Sequence, residues 1–314
     1  MPHLSQTLDW TRTARNYPQA RRLAQEFQAG QYDIVHINNT FTYNVEALIA
    51  AKRARVPAVG HARNPIQSNF FSKWALRMTC GVATVNQCLQ RQLTAWAPAL
   101  LIQTCYDGIA LTPVDRKSVE DLRNSLLRSA TILIGSAGRL DRQKGYSDLI
   151  RAARQVADVR SDVSFVIAGD GPLRQQLERL IAELQMTEHF HLLGFRQDIQ
   201  NVIGALDLFV SSSLWEGLPI VAVESIMLAK PIVVTNVGGS PEVVVQGENG
   251  YVVPAEDRRA LAQAILAALE NLQSLTDGAR EVRDKVIAPM EVHTSARVLD
   301  QFFEQVGKFR MNSH

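Results

Sequence analysis

Short apolar runs alternate with helix-length segments along almost the whole chain, and that alternation constrains the fold more than any other feature. Its clearest instance is Ala205 to Ser225, where the apolar run Leu206 to Val210 leads into Ser211-Ser212-Ser213. Gly217-Leu218-Pro219 then breaks the extended pattern before an apolar, helix-length segment. The order is strand, loop, helix. Pro219 suits a first helical position, because its missing N–H costs nothing there and its φ is already helical. Such a turn presents free N–H groups and a partial positive charge at the carboxyl end of a buried strand, which is where an anion binds. Glu216 and Glu224 bracket the turn, and two carboxylates beside an anion fit best if they accept hydrogen bonds from neutral hydroxyls of the same ligand. A sugar nucleotide carries both kinds of group.

The same alternation runs through the rest of the chain. Tyr17 to Ala29 has apolar positions at helical spacing with Gly30 as a stop, and Tyr32 to Asn39 reads as a buried strand with polar residues at its end. Glu46 to Arg55 is a helix, Val56 to His61 a strand, Gly81 to Asn86 a strand, and Gln87 to Trp96 a helix. From Ala130 onward come strands at Ala130–Ser136, Val163–Ala168, His189–Leu193 and Pro231–Asn236, and helices at Lys144–Val156, from Pro172, and at Asp257–Asn271. Ser240 is expected to cap a helix with Pro241 at its first position. Repeated strand-helix units imply parallel sheets with crossover helices, whose ligand-facing residues collect at the carboxyl ends of the strands. His36 and His61 stand at two such ends. Arg63, Lys73 and Arg77, interleaved with Phe70, Phe71 and Trp74, read as core aromatics with solvated charges, the alternative being a face for an acceptor or a lipid headgroup.

Composition excludes several classes. At 314 residues the chain has room for two domains, and 46% hydrophobic with 20% charged residues is the balance of a globular protein. A formal net charge of +2 argues against a dedicated nucleic-acid binder. Cys80, Cys88 and Cys105 lack C-x-x-C spacing, so neither a disulfide framework nor a zinc site is indicated. His189 and His191 alternate on a strand and read as an exposed strand face. The chain starts without an apolar leader, and no apolar run reaches the length of a membrane span. The expected location is the cytoplasm, with the inner face of the membrane as a second reading.

Four motifs carry a resemblance. Glu216-Gly217-Leu218-Pro219 followed by Glu224 is similar to the E-x(7)-E signature of retaining glycosyltransferases of family four, whose fold is GT-B. Gly138-Arg139-Leu140-Asp141-Arg142-Gln143-Lys144-Gly145 resembles the family's G-R-L-x-x-x-K-G, and it matches neither a dinucleotide fingerprint nor a P-loop. Gly169-Asp170-Gly171-Pro172 and Tyr106-Asp107-Gly108-Ile109 resemble its G-D-G-P turn and the N-G-I-D turn that closes its first domain, with Asp in place of Asn in the second.

The resemblance implies two Rossmann-like parallel-sheet domains facing a cleft. The expected boundaries are 1–112 for an acceptor-side domain, 113–129 for a linker, 130–290 for the nucleotide-sugar domain and 291–314 for a C-terminal crossover helix. It implies that Arg139, Lys144, Gly217 and Leu218 hold the donor's diphosphate, that Glu224 holds the ribose, and that Glu216 and His61 serve the donor sugar as the catalytic pair. Gly194, Phe195 and Arg196 would lie on the nucleobase side, and His36 keeps a structural role. The substrates implied are a UDP- or GDP-sugar and a glycan or lipid-linked acceptor. The chain has no D-x-D, so no metal and no cofactor are expected, and the leaving diphosphate would be met by the two cations and the helix start. The match covers nearly all of the second domain and only the later half of the first, since no strand with a G-G loop opens the sequence. The first domain is therefore expected to be truncated. A partner chain supplying the missing part, or a noncatalytic sugar-nucleotide-binding relic, is the alternative.

Overall fold

The computed structural model describes residues 10–39, 41–42, 44–127 and 130–311. It divides into two compact units, one formed by residues 1–106 with 295–314 and the other by 107–294. No described helix is long and apolar enough to cross a membrane.

In the first unit, α1 (Trp10–Ala29) precedes β1 (Val35–Ile37), α2 (Val45–Ala54), β2 (Ala58–Ala62), α3 (Phe70–Arg77), β3 (Gly81–Thr84), α4 (Gln87–Trp96) and β4 (Ile102–Thr104). The strands form one parallel sheet in sequence order, β1-β2-β3-β4. Helix α1 starts seven residues ahead of the expected Tyr17 and contains Pro18, and Gln31 at φ 50°, not Gly30, takes the left-handed turn after it. Asn86 caps α4 by accepting from Leu89 N at 2.7 Å. Residues of the C-terminal helix return to this unit: Phe302 and Val306, both fully buried, pack with Val59, Ala83 and Cys105.

The second unit holds α5 (Arg116–Leu127), β5 (Ile132–Ala137), α6 (Tyr146–Ala157), β6 (Val163–Ala168), α7 (Arg174–Glu183), β7 (Phe190–Gly194), α8 (Ile199–Ala205), β8 (Leu208–Ser211), α9 (Ile220–Met227), β9 (Ile232–Thr235), β10 (Gly250–Val253), α10 (Arg258–Glu270) and α11 (Leu272–Ile287). The last helix, α12 (Val292–Met311), starts at its end. The segment read as linker and a short helix holds α5. Arg123 of that helix donates to Ala205 O at 2.7 Å and pairs with Asp207 at 2.9 Å, and its Leu126 is buried, so α5 is fastened to the unit it precedes. Residues 128 and 129 of that expected linker lie outside the described ones.

The strand order here is β10-β9-β8-β5-β6-β7, all parallel. Successive strands β5, β6 and β7 step one way from β5, and β8, β9 and β10 step the other way. Order reverses between β5 and β8, and ligands of open parallel sheets bind outside the carboxyl ends at such a switch point. Two expected helix starts are displaced. Pro219 is the residue before α9, with φ −78° and ψ 90°, so the helix begins at Ile220. Ser240 opens a single 3-10 turn, Ser240–Val243, preceded by Gly239, and its hydroxyl caps nothing.

Candidate functional site

The loops leaving β5 and β8 build a crevice at the switch point. After β5 the chain makes a 3-10 turn, Arg142–Lys144, and Gly145 at φ +62° starts α6. Only glycine fits there, because a Cβ would stand 2.1 Å from Ser212 O. That approach docks the first loop on the second: Ser212 Oγ donates to Lys144 O at 2.8 Å, and Leu214 N donates to Gln143 O at 2.7 Å. The crevice is lined by Ser136, Lys144, Tyr146, the Ser211 to Ser213 run and the start of α9. Tyr146 is almost fully buried, and burial pushes its phenol far above the ordinary range, so it is a neutral hydroxyl.

Lys144 and Glu216 meet. Lys144 Nζ lies 2.6 Å from Glu216 Oε1, which also accepts from Ser213 Oγ at 2.8 Å, while Oε2 accepts from Gln143 Nε2 at 3.1 Å. Glu216 is 5% exposed, so its charge is balanced inside the protein. Gly217 and Leu218 are buried in the same turn, and Gly239 N donates to Gly217 O at 2.8 Å. Gly238, at φ +52°, packs against this turn, where a Cβ would stand 2.1 Å from Glu216 O. Glu224 lies on the buried side of α9, where Oε1 accepts from Gln200 Nε2 at 2.8 Å. Burial raises its carboxyl above the usual range, opposed by that hydrogen bond. Among the described residues its Oε2 has no donor.

The other expected donor-side residues stand apart from this pair. Arg139 is exposed, and among the described residues its guanidinium reaches Asp141 alone, at 3.8 Å. Gly194 (φ +76°) ends β7 and Phe195 and Arg196 follow it, two strands from β5, or about 10 Å across the sheet. Phe195 is 74% exposed, and Arg196 is held by Asp198 at 2.7 Å. Sequence reasoning gave no role to Gln143, a variable position of the G-R-L-x-x-x-K-G match, to Ser213 or to Gln200, which lie 73, 3 and 24 positions from the carboxylates they serve.

In the first unit the carboxyl ends of β1 and β2 are joined by three cross-strand pairs. His36 Nε2 faces His61 Nδ1 at 3.2 Å, Arg63 donates to Asn38 Oδ1 at 3.2 Å, and Asn64 Nδ2 donates to Asn39 Oδ1 at 2.8 Å. His61 is 4% exposed, and its ring is held down to about 4, first by burial and then by Arg63 and His36. His36 is also lowered, by burial and then by Arg63. Both rings are therefore neutral at pH 7. At the same strand ends a crevice is lined, among the described residues, by Asn39, Asn64, Gln67 and Asn69.

Residues 118–284 match the model of the family described as Glycosyl transferases group 1, more than half of the chain. The chain belongs to that family. Among curated relatives, 2-deoxystreptamine glucosyltransferase of Streptomyces kanamyceticus is 27% identical over 76% of this chain and 64% of its own length. The Escherichia coli UDP-Gal:alpha-D-GlcNAc-diphosphoundecaprenol alpha-1,3-galactosyltransferase is 26% identical over 82% of this chain and 71% of its own. The chain thus spans under two thirds of the first of these glycosyltransferases and more of the second. Among solved structures, Alr3699/HepE of Anabaena in complex with UDP superposes with a TM-score of 0.79 at 25% identity, covering 92% of this chain and 82% of that one. A glycosyltransferase of Rickettsia africae ESF-5 shares the fold with a TM-score of 0.77 at 19% identity, covering 98% of this chain and 84% of that one.

Proposed function

We propose that this chain transfers a sugar from a nucleoside diphosphate sugar to a hydroxyl of a glycan or lipid-linked acceptor, with retention at the anomeric carbon and without a metal or cofactor. The observation that carries the reading is the crevice at the β5/β8 switch point, lined by Lys144 and the start of α9, with Glu216 paired to that lysine and Glu224 farther along the same helix. In this reading Arg139, Lys144 and the Gly217-Leu218 turn take the diphosphate, which gains charge as the glycosidic bond breaks. Glu224 accepts from the ribose through Oε2, Glu216 accepts from the donor sugar, and the Gly194-Phe195-Arg196 segment lies on the base side. His61 with its partner His36 serves sugar hydroxyls from the first unit. The UDP bound by HepE makes UDP the first nucleotide to try, and the lipid-diphosphate acceptor named for the E. coli relative supports a lipid-linked acceptor at the inner face of the membrane.

The test is calorimetric titration of the full chain with UDP and GDP. A charged hydrogen bond of the Glu224 kind contributes about 1.5–3 kcal/mol, so Glu224→Ala should weaken nucleotide binding by about one to two orders of magnitude. An unchanged Kd, or no binding of either nucleotide by the native chain, rejects the reading. Release of UDP from UDP-sugars then separates an active transferase from a noncatalytic binder.

A further inference from the structure

Charge is divided unevenly between the two units. The first, residues 1–106 with 295–314, holds 14 Lys and Arg against 6 Asp and Glu, a net of +8, and the second holds 19 against 25, a net of −6, which together give the chain's +2. Between Glu46 and Asp107 stand seven Lys and Arg and no acidic residue. A basic half of that kind is drawn to anionic surfaces. Within that stretch α3 turns aromatic side chains outward. Its start is fixed by reciprocal bonds, Ser72 N donating to Asn69 Oδ1 at 2.8 Å and Asn69 N donating to Ser72 Oγ at 3.1 Å. Ser72, Ala75 and Leu76 are buried, so at about 100° per residue the opposite side of the helix carries Phe70, Lys73, Trp74 and Arg77. Phe70 is 69% exposed, although the sequence pattern reads it as a core aromatic, and the half-buried Trp74 stacks on Phe71 at a ring distance of 5.6 Å.

We propose that this face of α3 docks the first unit on an anionic lipid bilayer, with Phe70 and Trp74 entering the interface and Lys73 and Arg77 meeting lipid phosphates. The proposal deepens the reading above, on which it rests for a lipid-linked acceptor, and names the surface on which that acceptor is met. A helix whose other side is packed into the protein can lay only its outer rings at headgroup depth, and long cationic side chains beside those rings reach the phosphates. Neither half of the face suffices alone. A single exposed phenylalanine is ordinary on a protein surface, and cations without apolar anchors are released by salt. On one face, in a unit of net +8, the two effects add. A nucleic acid would also answer the charge, but it needs a row of phosphate contacts and rings open to its bases. Helix α3 is about two turns long and offers two cations, and Phe71 and Trp74 are stacked on each other.

The test is cosedimentation of the full chain with vesicles of equal parts phosphatidylglycerol and phosphatidylcholine, against vesicles of phosphatidylcholine alone. The native chain should pellet with the first and stay in solution with the second, and added salt should weaken the binding. A cation near an anionic surface contributes about fivefold, so Lys73→Gln with Arg77→Gln should lower partitioning about 25-fold, and Phe70→Ser should lower it about tenfold. These side chains are exposed, so the variants should keep the native Tm. Arg179→Gln with Arg259→Gln removes the same charge from exposed positions of the second unit and should change nothing. An equal loss in that control would reduce the effect to net charge and overturn the proposal. Phosphatidylcholine with brominated chains should quench Trp74, and Trp74→Phe should remove most of the quenching. No pelleting, or pelleting with Trp74 unquenched, overturns the proposal. Single-stranded DNA bound by a chain that ignores vesicles overturns it in favour of a nucleic acid. UDP bound by a chain that ignores vesicles sinks this proposal and leaves the previous subsection's reading, whereas pelleting by a chain that binds no nucleotide sinks that reading and leaves the docking face.

Discussion

Replacing Lys144 by Met and Glu216 by Gln, singly and together, tests whether the pair that closes the crevice is an energetic unit. Glu216 is 5% exposed, and Lys144 Nζ lies 2.6 Å from its Oε1. Removing one partner of a fully buried ion pair costs about 3–5 kcal/mol. Two features reduce that figure here. The Lys144 side chain keeps 22% of its accessibility, and Ser213 and Gln143 go on donating to the carboxylate. The cost of Lys144→Met is then close to that of one charged hydrogen bond, about 2–3 kcal/mol. For a unit of this size that lowers Tm by about 5–10 °C. Glu216→Gln should cost less, since the partly accessible ammonium can turn to water. The double variant should lie above the sum of the singles by a coupling of about 1.5 kcal/mol or more. Urea unfolding of the full chain, followed by tryptophan fluorescence with Trp215 beside the pair, reads this cycle. Strict additivity would refute the account of the crevice as held by this contact. Repeating the series with UDP separates stability from binding, because Lys144→Met should also lose the nucleotide-induced rise in Tm.

Two further outcomes follow from single positions. His61 is depressed from 6.5 to about 4, so below pH 6.5 the unfolded chain takes up a proton that the folded chain refuses until about pH 4. Stability is therefore full above pH 6.5 and is lost as pH falls toward 4, by up to about 3 kcal/mol. His61→Gln should flatten most of that slope, leaving the part due to His36, and a slope unchanged in urea midpoints across this range would count against the burial argument. At the backbone contact behind Glu216, Gly238→Ala should cost more than about 2 kcal/mol and weaken UDP binding, because its Cβ would strike Glu216 O at 2.1 Å. Gly247→Ala is the control: φ is +78° but nothing lies within 4 Å, so only the left-handed strain of about 1 kcal/mol remains.

The alternation of strands and helices was legible because each apolar run is bounded by a turn residue, and the two parallel sheets follow from it. What stayed hidden depends on contacts distant in sequence. Helix α11 received no reading from the sequence, and Gly278 within it is needed for a long-range approach, since a Cβ would stand 2.1 Å from Glu248 O. The start of α6 was misplaced by two residues because the left-handed Gly145 had not been separated from the helix that follows it. Motif and spacing pointed to Lys144, Glu216 and Glu224 as separate ligand contacts. That Lys144 and Glu216, 72 residues apart, neutralise each other depends on β5 and β8 being neighbours, and alternation does not give strand order. The pairing of His36 with His61 likewise needs the register of β1 on β2, in which His36 stands opposite Val59, two residues before His61.

The donor-side site divides into a part fixed by backbone and a part fixed by side chains, and the two should respond differently to mutation. Around Lys144 and Glu216 the loops touch through main chain, with Gly145 against Ser212 O and Gly238 against Glu216 O, so the positions of these residues are set by packing that no rotamer change can relax. Arg139 is held differently. Its side chain keeps 73% of its accessibility and has one distant carboxylate, and an exposed pair of that kind contributes little to folding. Substituting Arg139 should therefore leave Tm where it is while weakening nucleotide binding, whereas changes at Gly145 or Gly238 should alter both together. The contrast matters for the chemistry proposed, because a diphosphate leaving group is stabilised best by charges that need not be reorganised when the bond breaks. Lys144, anchored by Glu216, meets that condition before any ligand arrives, and Arg139 would meet it only once the phosphate itself orders the guanidinium.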